Sequence, residues 1–136
     1  MNVKELTLDD WVYGIDAGHK NPCVISAVDM YPMSRTPRIV TLGGYGYQQE
    51  HLEPIPLTAE ILEHNGFKKK GHRYGIYDDY FDFEMYEYND GTWLVSYHCC
   101  EMSLPDEQVL IFHVHQLQHF MRHCAIEKEI IIKKED

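Results

Sequence analysis

The sequence predicts a β-rich α+β protein: a small SH3-like barrel-type sheet at the N-terminus, then a short helix, an antiparallel sheet, and a C-terminal helix with a last strand behind it. Three stretches carry that expectation. Between residues 11 and 46, short apolar and β-branched runs are punctuated by Gly and Pro, the pattern of a small, strongly curved sheet. Over 80–88, Phe81, Phe83 and Met85 alternate with Asp82, Glu84 and Tyr86, the period of a half-buried strand. Over 107–126, the run Val109-Leu110-Ile111-Phe112 gives way to Leu117, Phe120, Met121 and Cys124 at i, i+3, i+4 and i+7, so a strand feeds an amphipathic helix.

The elements follow in order. A turn at 6–10 feeds a strand at 11–15. A polar loop with Gly18 spans 16–21, a strand spans 22–30, and the two prolines of 31–37 make a loop. The β-branched segment 38–42 is a third strand, which Gly43, Gly44 and Gly46 break. The residues before Pro54 and Pro56 are held extended. Thr58 is placed to cap a helix over 59–65, with Glu60 in the dipole-favoured first turn, Leu57 and Leu62 as a hydrophobic staple, and Gly66 as the left-handed residue that ends it. At about two turns this helix needs Ile61, Leu62 and Phe67 to dock. Lys68, Lys69, Lys70 and Arg73 read as a basic loop. Asn89-Asp90-Gly91 turns the alternating strand into a second strand at 92–99. A turn at 103–106, a strand at 109–113 and the helix from 114 come next, and the isoleucines of 127–134 are expected to close the sheet as a last strand. The whole of 1–136 reads as one compact domain, with a barrel-like β lobe at 1–53 and an α+β lobe at 54–136.

Composition narrows the function classes. A hydrophobic content of 44% against 25% charged marks a globular chain able to bury a core. The formal net charge of −10 disfavours generic DNA and anionic membrane as partners. Glu5, Asp9 and Asp10 and the lack of an apolar core argue against a signal peptide at the N-terminus. No apolar run approaches the roughly 20 residues of a membrane span. Cys23, Cys99, Cys100 and Cys124 form no C-x-x-C pair, so neither a disulfide framework nor a zinc ribbon is expected, and buried free thiols in a reducing cytoplasm are.

Three pieces carry a resemblance: residues 52–67 (LEPIPLTAEILEHNGF), 114–119 (VHQLQH) and 124–130 (CAIEKEI). They resemble small proteins of gut Bacteroidetes and their phages and mobile elements, which show "(L/I)xPIPLTxEILxxNGF", then "VH(E/Q)LQ", a short helix and an "IEKEI"-like strand. Residues 8–12 also look like that family's "LxxGDWV" opening, with Asp9 where the pattern has Gly. The matches cover about a third of the chain. The family has no assigned activity, so the resemblance implies a setting, a cytoplasmic protein of a prophage or integrated element, and no mechanism.

Several clusters invite chemistry. At about 100° per residue, His115, His119 and His123 fall opposite the Leu117 stripe. Imidazoles at i and i+4 can hold Zn²⁺, Ni²⁺ or Cu²⁺, yet a catalytic zincin has Glu where this chain has Gln116. A solvated face with at most a weak adventitious site is therefore expected, with no native metal or cofactor, and Gln116 on the open side should matter little. His113 and His115, completed by Cys99, Cys100 or Glu101, would make another site if the strand–helix junction did not split them. Cys124 reads as a buried, inert thiol. Lys68, Lys69, Lys70 and Arg73 have the charge for phosphate contact, but a solvated loop facing the acidic strand is the simpler reading. Asp82 and Glu84 lie on one strand face as a conceivable glycosidase pair within a solvated acidic face. Residues 43–46 lack the Gly-Lys-Ser/Thr of a P-loop. The expectation is a non-enzymatic accessory or interaction protein with a protein partner, monomeric or homodimeric. A nucleic-acid-associated small barrel is the first alternative and a metal-dependent hydrolase on His113, His115 and His119 the second.

Overall fold

Backbone pairing sorts the described residues into two five-stranded antiparallel sheets, one of them a half-barrel. The computed structural model describes residues 5–29, 38–42, 46–99 and 106–133. Strand makes up 49% and helix 18% of the described residues, so the β-rich α+β class expected from the alternating segments holds. The loop expected at 31–37, the breaking Gly43 and Gly44, the turn at 103–105 and the candidate ligands Cys100 and Glu101 lie outside the described residues. Two units emerge, Met1–Ile55 with Ile132–Asp136, and Pro56–Ile131.

In the first unit, β1 (Trp11–Asp16), β2 (His19–Asp29), β3 (Arg38–Thr41), β4 (Gly46–Gln48) and β5 (Leu52–Pro54) lie in the order β4-β3-β2-β1-β5. The loop expected at 16–21 shrinks to Ala17 and Gly18, with φ of 50° and 81°. Two consecutive left-handed residues make the tight turn whose twist suits a hairpin, and this draws His19–Asn21 into the strand. Gly46 opens a strand instead of ending one. A register shift between Ile25 and Ala27 bends β2. Leu6, Val12, Ile25, Ile39 and Leu52 form the core on one side of this sheet. Before β1, the Asp10 carboxylate, fully buried, accepts from Thr7 N at 2.8 Å and Thr7 Oγ1 at 3.2 Å. Asp9 N donates to Ile25 O and Ile25 N donates to Asp10 O, so the turn is fastened to β2. Asp9 takes φ 71°, a conformation that favours glycine and that Asp tolerates better than most residues.

The second unit holds α1 (Ala59–His64), β6 (Lys68–Lys70), β7 (Arg73–Tyr77), β8 (Phe81–Glu87), β9 (Trp93–Cys99), β10 (Glu107–Ile111) and α2 (Val114–His123), with sheet order β10-β9-β8-β7-β6. The short helix is capped as its sequence requires: Thr58 Oγ1 accepts from Ile61 N at 3.3 Å, and Gly66 sits at φ 78° with its N–H on Glu63 O. Gly91, at φ 83°, closes the β8–β9 hairpin, where Thr92 N donates to Asp90 Oδ1 at 3.0 Å. Tyr74, Phe83, Met85, Trp93, Val95 and Ile111 supply one buried face of this sheet. Phe120 of α2 meets Phe83 at 5.9 Å between ring centroids, and Trp93 Nε1 donates to Leu57 O at 3.0 Å.

Three expectations need correction here. Lys68–Lys70 is no loop but an exposed edge strand, defined by its ladder to β7. Three lysines in a row show no alternation, so the pairing partner alone reveals it. The last strand expected at 127–134 forms no ladder over its described residues, 127–133. Ile130 and Ile132 are buried and Ile131 is exposed, as in a strand, but the backbone N–H and C=O of Ile131 are both taken by the Asn65 side chain, at 2.8 and 3.0 Å. An amide that turns its oxygen and one of its N–H groups to the same residue substitutes for a neighbouring strand. The phase of α2 also differs: its buried residues are Val114, His115, Leu117, Gln118 and Met121, with Phe120 and Cys124 half-buried. The buried arc is turned by roughly one residue step of 100° from the stripe that the large apolar residues suggested.

Candidate interaction surface

Alternation in β8 and β9 sends one set of side chains to the core and the other to the opposite face. Register stacks that opposite face into tiers. Asp82 faces His98 across β8 and β9. Glu84 faces Ser96, and Ser96 faces Gln108. Tyr86 faces Leu94, and Leu94 faces Leu110. The face is dished into an open concavity of about 520 Å³, whose lining includes Arg73, Asp82, Glu84, Tyr86, Leu94, Ser96, His98, Asp106 and Gln108.

Its polar tiers are internally braced. Arg73 Nη1 holds Glu84 Oε2 at 2.9 Å, and His98 Nδ1 meets Asp106 Oδ1 at 2.5 Å. Asp82 has no ion pair among the described residues. Gly75 faces Glu84 in the ladder and lets the Tyr77 ring lie across it: a Cβ there would stand 2.8 Å from Tyr77 Cζ and Oη. Burial, and then Glu84 beside it, push the Tyr77 hydroxyl above the ordinary tyrosine value.

The third tier is apolar and open to solvent. Tyr86 is 40% exposed and Leu110 56%, and their neighbours Tyr88 and Phe112 are 44% and 49% exposed. The rings of Tyr86 and Tyr88 meet edge to face at 5.5 Å. Scattered apolar exposure is ordinary, but register sets Tyr86 and Leu110 in one row with half-buried Leu94 between them, and Tyr88 packs on Tyr86.

The sequence-derived candidates fare differently. His115 is buried, against the expectation of an outward row. Its ring stacks on His113 at 5.7 Å and 8° and meets His119 edge to face at 5.7 Å, so the junction joins His113 and His115 instead of splitting them. Imidazole lone pairs lie in the ring plane, and two nearly parallel stacked rings do not aim them at one point. His123 is exposed, in the last turn of α2, and its Nε2 lies 2.9 Å from Glu107 Oε2. No group of three or more His, Cys, Asp or Glu side chains among the described residues is arranged to hold a metal. Lys69 and Lys70 lie over the rings of Tyr74 and Tyr77, at 5.8 and 3.7 Å from the centroids, and Arg73 is engaged by Glu84, so three of the four phosphate candidates have intramolecular partners. Cys124 is half-buried, and burial, with Glu107 nearby, pushes its thiol up to about 11.

Ser96, His98 and Asp106 share the tiered face, a grouping invisible in the sequence because it depends on the pairing of β9 with β10. Ser96 lies on a strand paired on both sides, so the surrounding backbone N–H groups are spent in ladders and none is left to hold an oxyanion. Asp82 and Glu84 project side by side from one strand, and Glu84 is salt-bridged to Arg73. What the face offers is an apolar shelf beside a braced, carboxylate-rich hollow. No family model, curated protein or solved structure matches this chain.

Proposed function

We propose that this chain is a non-enzymatic interaction protein and that it engages a protein partner through the open face of its second sheet. The observation that carries the reading is the exposure of Tyr86 and Leu110 on either side of half-buried Leu94 in one row, with exposed Tyr88 and Phe112 next in sequence, in a chain whose net charge is −10. Aromatic and aliphatic side chains gathered on a rigid sheet are the usual anchors of protein interfaces, and tyrosine is over-represented among the residues that dominate them. A cytoplasmic setting within a prophage or integrated element is part of the proposal and rests on the resemblance of residues 52–67, 114–119 and 124–130. No described helix is long and apolar enough to cross a membrane.

The test is affinity capture from the native host with the wild-type chain and with a Leu94→Arg/Leu110→Arg variant, followed by mass spectrometry. A partner held by the wild type and lost by the folded variant supports the reading. A partner held equally by both overturns the assigned face. Catalytic turnover of a small molecule abolished by Ser96→Ala or His98→Ala would overturn the non-enzymatic reading.

A further inference from the structure

We infer that the partner presents to this face an extended basic segment, with apolar side chains seated on Tyr86, Leu94 and Leu110 and an arginine or lysine beside Asp82. The inference rests on the protein-binding reading above and adds the chemistry of what is bound. The first argument is charge. Asp82, Glu84 and Asp106 line one concavity with Arg73 and His98, and each of the latter is already held by a carboxylate, Arg73 by Glu84 and His98 by Asp106. The carboxylate left without an ion pair among the described residues is Asp82. A cation arriving from a partner completes the set, whereas a phosphate-bearing ligand meets three carboxylates. The second argument is spacing. Asp82 and Tyr86 stand four residues apart on one strand, roughly 13 Å at about 3.3 Å per residue. In an extended segment the side chains on one face are two residues apart. An apolar residue at i and a basic one at i+4 therefore span the two tiers. An arginine at i+2 reaches the same carboxylates from over Ser96. The third argument is preorganisation. The Arg73–Glu84 ion pair and the His98–Asp106 contact span the hollow, and a sheet face between paired strands loses little freedom when a segment lies on it.

The test uses the full chain and three fluorescein-labelled synthetic peptides, each with threonine at alternate positions. The first carries leucine, leucine, arginine and arginine between the threonines. The second has glutamate for arginine, and the third has serine for leucine. Fluorescence anisotropy should show the first peptide binding at least about 10-fold more tightly than either of the others, a difference of about 1.4 kcal/mol. Asp82→Lys should weaken the first peptide by about 10-fold or more and improve the second. Its urea melt serves as the folding control. Amide shifts on adding the first peptide should gather in 82–88, 94–98 and 106–112. If the first two peptides bind alike, or none binds, the basic-segment inference falls. In that case the loss of the captured host partner from the Leu94→Arg/Leu110→Arg variant would still uphold the protein-binding reading. Self-association abolished by Leu110→Arg would assign the face to a second copy, and tight, salt-sensitive binding of a labelled duplex would assign the chain to nucleic acid; either overturns the inference.

Discussion

At the scale of single residues, several side chains act through one or two backbone groups. Gln116 is the clearest. Its Oε1 accepts from Phe112 N at 2.8 Å and His113 N at 3.0 Å, closing the gap between the end of β10 and the start of α2. The sequence placed Gln116 on an open face and expected it to matter little. The structure makes it a reciprocal cap, so Gln116→Ala should cost about 1–2 kcal/mol in a urea melt. Gln116→Glu, which keeps the acceptor, should cost less than half of that. Equal losses for the two would mean that the carbonyl is not what stabilises the junction. Cys124 offers a second residue-level check. With its thiol pushed up to about 11 by burial and by Glu107, little thiolate exists at pH 8. Iodoacetamide followed by mass spectrometry should modify Cys124 far more slowly in the folded chain than in urea. Rapid labelling in the fold would contradict that assignment.

At the scale of elements, the segment 126–133 shows how a strand-like sequence can be held without a sheet. Asn65, at the end of α1, donates from Nδ2 to Ile61 O at 2.9 Å and Ile131 O at 3.0 Å, and accepts from Ile131 N at 2.8 Å. One side chain thus ends a helix and grips the tail. Asn65→Ala should cost about 1–3 kcal/mol and speed hydrogen exchange at the Ile131 amide. Asn65→Asp, which keeps the acceptor alone, should fall between. An unchanged exchange rate at Ile131 would show that burial of Ile130 and Ile132 holds the tail without the clamp. The edge strand β6 is the converse case. Three lysines with no apolar alternation become a strand because β7 offers a ladder, and their charge keeps that edge from pairing with other chains.

At the scale of the whole molecule, tyrosine chemistry sets the response to alkali. Burial raises the hydroxyls of Tyr74, Tyr77 and Tyr97 above their ordinary value, with Glu63 adding to the effect at Tyr74, Glu84 at Tyr77 and Cys99 at Tyr97. In each the neutral form is favoured by the fold. Their contribution is therefore fully present below the unfolded tyrosine pKa of about 10 and is lost as pH rises through the higher folded values. The melting temperature should decline above about pH 10. Absorbance at the tyrosinate band should show a late group of tyrosines that ionise together with unfolding. A single step involving all ten tyrosines with the fold intact would refute this.

The sequence by itself determined the fold class, the Thr58-to-Gly66 helix and its caps, the alternating strand Phe81–Glu87 with its hairpin, and the place where β10 becomes α2. All of these rest on local physics: side-chain period, capping chemistry and the φ that glycine permits. Tertiary structure alone decided the rest. It turned the lysine stretch into an edge strand, replaced a last strand with the grip of Asn65, and rotated α2 so that His115 went inside and only His123 came fully out. It also gathered Asp82, Glu84, Ser96, His98 and Asp106 beside the Tyr86–Leu94–Leu110 row. Half of that face could be read from alternation, since Asp82, Glu84 and Tyr86 were already on one side. The other half comes from strands whose register is set by cross-strand pairing between distant residues. No window of sequence contains that information, because a shift of one residue in either strand would have sent a different set of side chains to the same place.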